Sequence, residues 1–173
     1  MEDRIFRNIL RFVFLLIIQV LIFKRLDLSI GEFHYIHLIV YPLAVLLLPL
    51  DTPKALVLTI AFAYGFIFDC FYNSPGVHAG ALVFTAYLKN LVLRILEPFE
   101  GYPINISPTM SVMGFTWFIS YASILMFLHC FTYFSFDSFS FVFIYSITLN
   151  AVFSFIPSMV IILLFQFIFR NKH

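Results

Sequence analysis

The chain has 173 residues, 62% of them hydrophobic and 11% charged, with a formal net charge of +1 and a mean hydropathy of +1.02. A water-soluble domain needs about 25% charged residues to cover its surface, so composition points to an integral membrane protein with spans filling most of the chain. Lys and Arg form no basic patch outside short flanks, which argues against nucleic-acid binding.

In chain order, Arg4, Arg7 and Arg11 lead into the apolar run Phe12 to Phe23. No small-x-small cleavage site follows, because Lys24-Arg25-Leu26-Asp27 comes next, so this reads as an uncleaved first span, about 9–23. Runs near the length needed to cross a bilayer follow at about 36–50, 53–71, 75–96, 108–131 and 139–169. The expectation is an all-α integral membrane protein: one polytopic domain of six transmembrane helices. The first two runs are short. The last is too long for one straight helix, so an interfacial start near Phe139–Phe143 or a bend at Pro157 is expected.

Thr52-Pro53, Ser74-Pro75 and Ser107-Pro108 share one punctuation. A hydroxyl N-cap followed by proline at the first helical position predicts three helix starts. With the N-terminus inside, the inner flanks carry Arg4, Arg7, Arg11, Lys54, Lys89, Arg94, Arg170 and Lys172, against Lys24 and Arg25 outside. That asymmetry predicts cytoplasmic termini and an even number of spans, four being the competing number.

Asp69 closes the apolar run from Ala55 to Phe68. A carboxylate there is costly in hydrocarbon and belongs to a protein interior, a polar cavity or the interface. Two local partners are open to it: the turn amides from Asn73 to Gly76, or the amides opening the fourth span, whose positive end favours an anion. Ala61, Gly65, Gly76 and Gly80, with Ala79 and Ala81, place small residues at four-residue spacing. They predict a tight hairpin of spans three and four, or a partner-docking face.

His34, His37, His78, His129, Cys70 and Cys130 lie toward the outer side, but without metal-ligand spacing, so no metal is expected. Cys70 and Cys130 pair only if spans three and five touch there; free thiols are the default. Lys89, Asn90 and Arg94 read as snorkelling anchors or as a site for an anionic partner. Gln19 and Asn150 read as interhelical hydrogen-bonding groups. Asn105-Ile106-Ser107 is a glycosylation sequon, discounted because it lies on the inner side. No nucleophile–base pattern is present, so neither catalysis nor a cofactor is expected.

The ordered set Leu48-Pro49, Thr52-Pro53, Gly65-x-x-x-Asp69, Asn73-x-x-Gly76-x-His78-Ala79, Arg94, Gly101-Tyr102, Trp117-Phe118 and Phe139-Ser140-Phe141 resembles the bacterial rod shape-determining protein MreD family over nearly the whole chain. The resemblance implies a non-enzymatic membrane scaffold of the cell-elongation machinery, in the cytoplasmic membrane, required for rod shape and lateral peptidoglycan synthesis. It implies MreC as partner and, through it, MreB filaments, the glycosyltransferase RodA and a penicillin-binding transpeptidase. The structural and partner candidates are Gly65, Asp69, Asn73, Gly76, His78, Gly80 and Arg94. Members of that family also resemble the six-helix substrate-binding subunits of energy-coupling-factor transporters, which suggests that fold and an alternative function, vitamin binding. Those subunits dock through alanines on their first span, where this chain has neither Ala nor Gly between Leu10 and Val20.

Overall fold

The computed structural model describes residues 2–25, 28–30, 34–103, 106–139 and 141–169. In chain order these form α1 (Glu2–Leu21), a hairpin of β1 (Leu28–Ile30) and β2 (His34–Ile36), α2 (Pro42–Leu46), α3 (Lys54–Tyr72), α4 (Val77–Ile95), α5 (Met110–Met113), α6 (Phe115–Ser138) and α7 (Ile144–Ile168). Asn105, Arg170 and Lys172 lie outside the described residues.

The long helices turn apolar side chains outward. Phe6, Leu10 and Phe14 of α1, Phe62 and Phe66 of α3, Phe84 and Leu91 of α4, and Val160 and Leu164 of α7 are all exposed. An apolar surface on every side belongs in hydrocarbon rather than water. Among the described residues, α3, α6 and α7 are long and apolar enough to cross a membrane, as a membrane protein requires.

The inner faces carry small or hydrogen-bonding residues at helical spacing. On α3 the buried positions are Val57, Ala61, Tyr64, Gly65, Phe68 and Asp69. On α7 they include Ile147, Ala151, Ser154, Ser158 and Ile162. α4 packs between α3 and α6, and α6 packs against α7.

The largest departure from expectation is residues 36–50. They form no spanning helix: an extended stretch leads into α2, which ends at Leu46. Pro42 opens α2 at its first turn, and Pro49 follows its end. Each proline lacks the amide that a continuous helix would use, so helix is confined between them. The segment is nonetheless buried from Leu38 to Leu48. Irregular backbone inside a membrane bundle persists only where protein groups satisfy it.

Four helices supply those groups. Gln19 of α1 accepts from the Val40 amide at 2.9 Å and donates to the Leu38 carbonyl at 2.8 Å. On α7, Ser154 accepts from the His37 amide at 3.0 Å and Ser158 from the Ile39 amide at 2.9 Å. Tyr121 of α6 donates to the Leu46 carbonyl at 2.9 Å. Lys89 of α4 donates to the carbonyls of Leu48 and Val45 at 2.9 and 3.3 Å.

The same bonds give the direction of travel. Tyr64 donates to the Phe12 carbonyl, Tyr72 donates to the Gln19 carbonyl, and Lys24 donates to the Phe71 carbonyl. α1 and α3 therefore run alongside each other in the same sense. Residues 34–50 carry the chain back from the end of α1 toward the start of α3, where the Leu50 amide meets the Ile106 carbonyl.

Other boundaries differ locally. None of the three hydroxyl–proline pairs caps a helix through its side chain: α3 begins after Pro53, α4 after Gly76 and α5 after Thr109. The expected fifth span, 108–131, is split by Gly114, whose φ of 85° separates α5 from α6. At such a φ a glycine is unstrained and other residues are not. α6 then runs on to Ser138, and Phe139 turns at φ 47°. Phe141–Phe143 form a separate 3-10 turn before α7, which continues through Pro157. Lys89 is no snorkelling anchor: it is 2% exposed and held by the two carbonyls above. Asn150 does not serve as an interhelical acceptor: its buried Oδ1 has no partner among the described residues.

Candidate functional site

Six of the seven sequence candidates belong to the turn between α3 and α4 or to the first turn of α4 and its contacts. Asn73 closes α3 in the left-handed conformation at φ 54°, with its amide on the Asp69 carbonyl. Gly76 precedes α4 at φ 82° and has no side chain with which to cap it.

Asp69 supplies the missing cap from the end of the preceding helix. Its Oδ1 accepts from the His78 amide at 2.8 Å and its Oδ2 from the Ala79 amide at 3.1 Å. Ser74 Oγ donates to Oδ1 at 3.3 Å, and His78 Nδ1 lies 3.1 Å from it. The carboxylate is buried, yet both oxygens are engaged and the positive end of α4 faces it. Favourable anion–helix pairings of this partly buried kind reach about 2 kcal/mol. Of the two expected partner sets, the amides opening α4 are the ones used.

Two glycines act on opposite sides of α4. A Cβ on Gly65 would lie 2.5 Å from Ala79 Cα and 2.8 Å from its nitrogen, so α3 and α4 meet backbone to backbone. A Cβ on Gly80 would instead meet the Phe136 ring of α6 at 2.8 Å. Gly80 is therefore not part of the α3-facing stripe, and Gly76, with nothing within 4 Å of its would-be Cβ, is a turn residue rather than a packing one. Arg94 is exposed in the last turn of α4. It lies sixteen residues beyond His78, about 24 Å along the helix, and takes no part in this cluster.

A serine, a histidine and an aspartate meet here, but not as a relay. Ser74 Oγ and Asp69 Oδ1 both engage Nδ1 of His78, at 2.9 and 3.1 Å. A catalytic relay needs the nucleophile on one ring nitrogen and the carboxylate on the other. The arrangement orders the turn and fixes the ring, with Nδ1 as donor and Nε2 left as an acceptor.

Below it lies a second buried group that sequence reasoning did not assemble. Thr85 donates to the Ala81 carbonyl at 2.8 Å, so its oxygen accepts from His129 Nδ1 at 2.9 Å. His129 Nε2 then accepts from the Tyr41 hydroxyl at 2.9 Å. Each member is at most 1% exposed, and the donors and acceptors close with one tautomer. The far end of α4 is also capped from outside. Tyr102 donates to the Leu93 carbonyl at 2.7 Å and Trp117 to the Leu96 carbonyl at 2.9 Å.

A cavity of about 180 Å³ opens between these elements, lined by Gln19, Phe23, Lys24, His37, Leu38, Ile39, Tyr41, Tyr72, His78 and Tyr133. Lys24 sits at its edge, with Nζ 5.1 Å from the centre of the Tyr72 ring. No group of three metal-ligating residues is present among the described residues. Cys70 is exposed and Cys130 buried, each a free thiol. The side chain of His34 lies outside the described residues.

Tyr41, Tyr72 and Tyr133 carried no sequence signal, being aromatic residues in a Phe-rich chain. Ser154 and Ser158 did carry one: two hydroxyls four residues apart in an apolar helix. The chain matches no known family, characterised protein or solved structure.

Proposed function

We propose that this protein is a non-enzymatic scaffold of the bacterial cell-elongation machinery, of the kind the MreD resemblance implies. It crosses the cytoplasmic membrane six times, with both termini inside. One observation carries the reading. Asp69, Gln19, Lys89, Ser154 and Ser158 are buried and bind this chain's own backbone, while the outward faces of the long helices are apolar. Such a molecule offers contact surface rather than a reacting centre, and outward aromatics supply contact area to helices that dock in lipid.

Six crossings rest on the parallel course of α1 and α3 together with the Lys and Arg asymmetry. The second crossing is made by residues 34–50 rather than by a helix. In this respect the chain departs from the six-helix substrate-binding fold that the resemblance suggested. The solute-binding alternative draws only on the cavity. Its volume of about 180 Å³ falls below the roughly 300–1,000 Å³ usual for organic ligands.

Copurification of the full chain from native membranes tests the reading. MreC or the transpeptidase is the expected companion; an ATPase module in its place would overturn it. For topology, Gly101→Cys is expected to resist a membrane-impermeant thiol reagent in intact cells, in a Cys70→Ser background. Labelling from outside would refute six crossings.

A further inference from the structure

We infer that the cavity between α1, α4 and α6 is a binding site for a small anionic, hydroxyl-bearing group, of which a glycerophosphate headgroup is the example native to membranes. The inference is independent of the scaffold reading. Two buried polar groups border the cavity without a partner. Tyr133 is 7% exposed, and its hydroxyl makes no hydrogen bond among the described residues. His78 is 3% exposed, with Nδ1 occupied by Asp69 and Ser74 and Nε2 bonded to none of the described residues. Neither atom is sealed in the packed interior: both side chains line the cavity, where a bound group can reach them.

Their chemistry states what that occupant presents. In the neutral ring, Asp69 and Ser74 hold the His78 proton on Nδ1, so Nε2 accepts. The Tyr133 hydroxyl donates and accepts, and its ring stands edge-on to His78 with centroids 5.0 Å apart. A ligand hydroxyl satisfies both at once, donating to Nε2 and accepting from Tyr133. At the edge, Lys24 adds a cation with one donor directed to the Phe71 carbonyl and two further donors for an anion. Two acids stand near the site: Asp69, whose oxygens are engaged by the amides of α4, and Asp137, exposed one turn beyond Tyr133 on α6. The volume of about 180 Å³ is room for a headgroup rather than a vitamin.

The headgroup can arrive on a lipid or free in solution, and the experiment separates the two. The full chain in detergent is titrated with phosphatidylglycerol, phosphatidylcholine and soluble glycerol phosphate, followed by native mass spectrometry and thermal shift. Phosphatidylglycerol is expected to bind at least tenfold more tightly than phosphatidylcholine. Competition by soluble glycerol phosphate assigns the free source, and its failure to compete assigns the lipid; either supports the site. Tyr133→Phe keeps the ring against His78 and removes only the hydroxyl, so it is expected to weaken binding about tenfold, one hydrogen bond's worth. Lys24→Gln is expected to reduce the preference for the anionic lipid, and Arg94→Gln, at the far end of α4, to leave it unchanged. Equal binding of the two lipids overturns the inference. So does unaltered binding by a Tyr133→Phe variant that melts at the wild-type temperature.

Discussion

At the turn between α3 and α4, the groups that satisfy one another lie within 10 residues, as Asp69 and Ala79 do. In the buried segment of residues 34–50, the partners lie up to 119 residues apart, as Ile39 and Ser158 do. Both regions solve the same problem, since backbone amides and carbonyls inside an apolar bundle must be bonded. The turn solves it with neighbours and so leaves a local pattern. The segment solves it with side chains from α1, α4, α6 and α7, and leaves only isolated polar residues scattered along other helices. A region satisfied by neighbours is expected to fail as a unit. One satisfied from afar is expected to loosen one bond at a time.

Asp69→Ala should break the turn most severely. It leaves the His78 and Ala79 amides uncapped and the His78 ring without its acceptor, at about 3 kcal/mol. Asp69→Asn keeps one acceptor oxygen and should lose roughly half as much. Thermal unfolding in detergent and abundance in membranes measure both. Should Asp69→Asn remain abundant yet abolish the copurification proposed above as fully as alanine, the charge would have a function beyond capping.

Gly65→Ala is next, at about 2 kcal/mol, because its Cβ meets the backbone of Ala79, which cannot move without parting the helices. Gly80→Ala is its control. There the obstacle is the far edge of the Phe136 side chain, 40% exposed, rather than backbone, so a loss below about 1 kcal/mol is expected. Equal losses at the two glycines would show that close packing around α4 is not confined to its α3 side.

Gln19→Leu sharpens the other half of the comparison. It frees the Val40 amide and the Leu38 carbonyl, at about 1–2 kcal/mol. Hydrogen exchange should rise at residues 38–40 while α3 and α4 keep their protection. Exchange rising across the whole chain would mean that the buried segment and the hairpin form one cooperative unit. Ser158→Ala should produce the smallest change, about 1 kcal/mol, centred on the Ile39 amide.

Much of the hairpin was legible. The apolar run ending in Asp69, the small residues at four-residue spacing and the turn residues Asn73 and Gly76 each point to local geometry. What misled was the hydroxyl–proline pairing. Ser74 looked like a cap for α4, whereas its hydroxyl binds the carboxylate that does the capping. Residues 36–50 were read as a helix because an apolar run of that length looks alike extended or helical; Pro42 and Pro49 were the signal that distinguished them. Lys89 was read as an anchor because sequence gives a charge no direction. In the fold it turns inward, where the Val45 and Leu48 carbonyls accept from it at the end of α2.

By itself the sequence determined that the chain carries helices long and apolar enough to cross a membrane, where α3 and α4 lie, and that the amides opening α4 are one of two partner sets open to Asp69. Composition sets the solvent, period sets the helix, and neighbours set the cap; all three are short-range properties. Tertiary structure alone decided that residues 34–50 thread the bundle unwound, that Gly80 faces α6 rather than α3, and that Tyr133 and His78 border a common cavity. Those outcomes depend on which distant side chain reaches which backbone group, and a linear pattern does not encode distance.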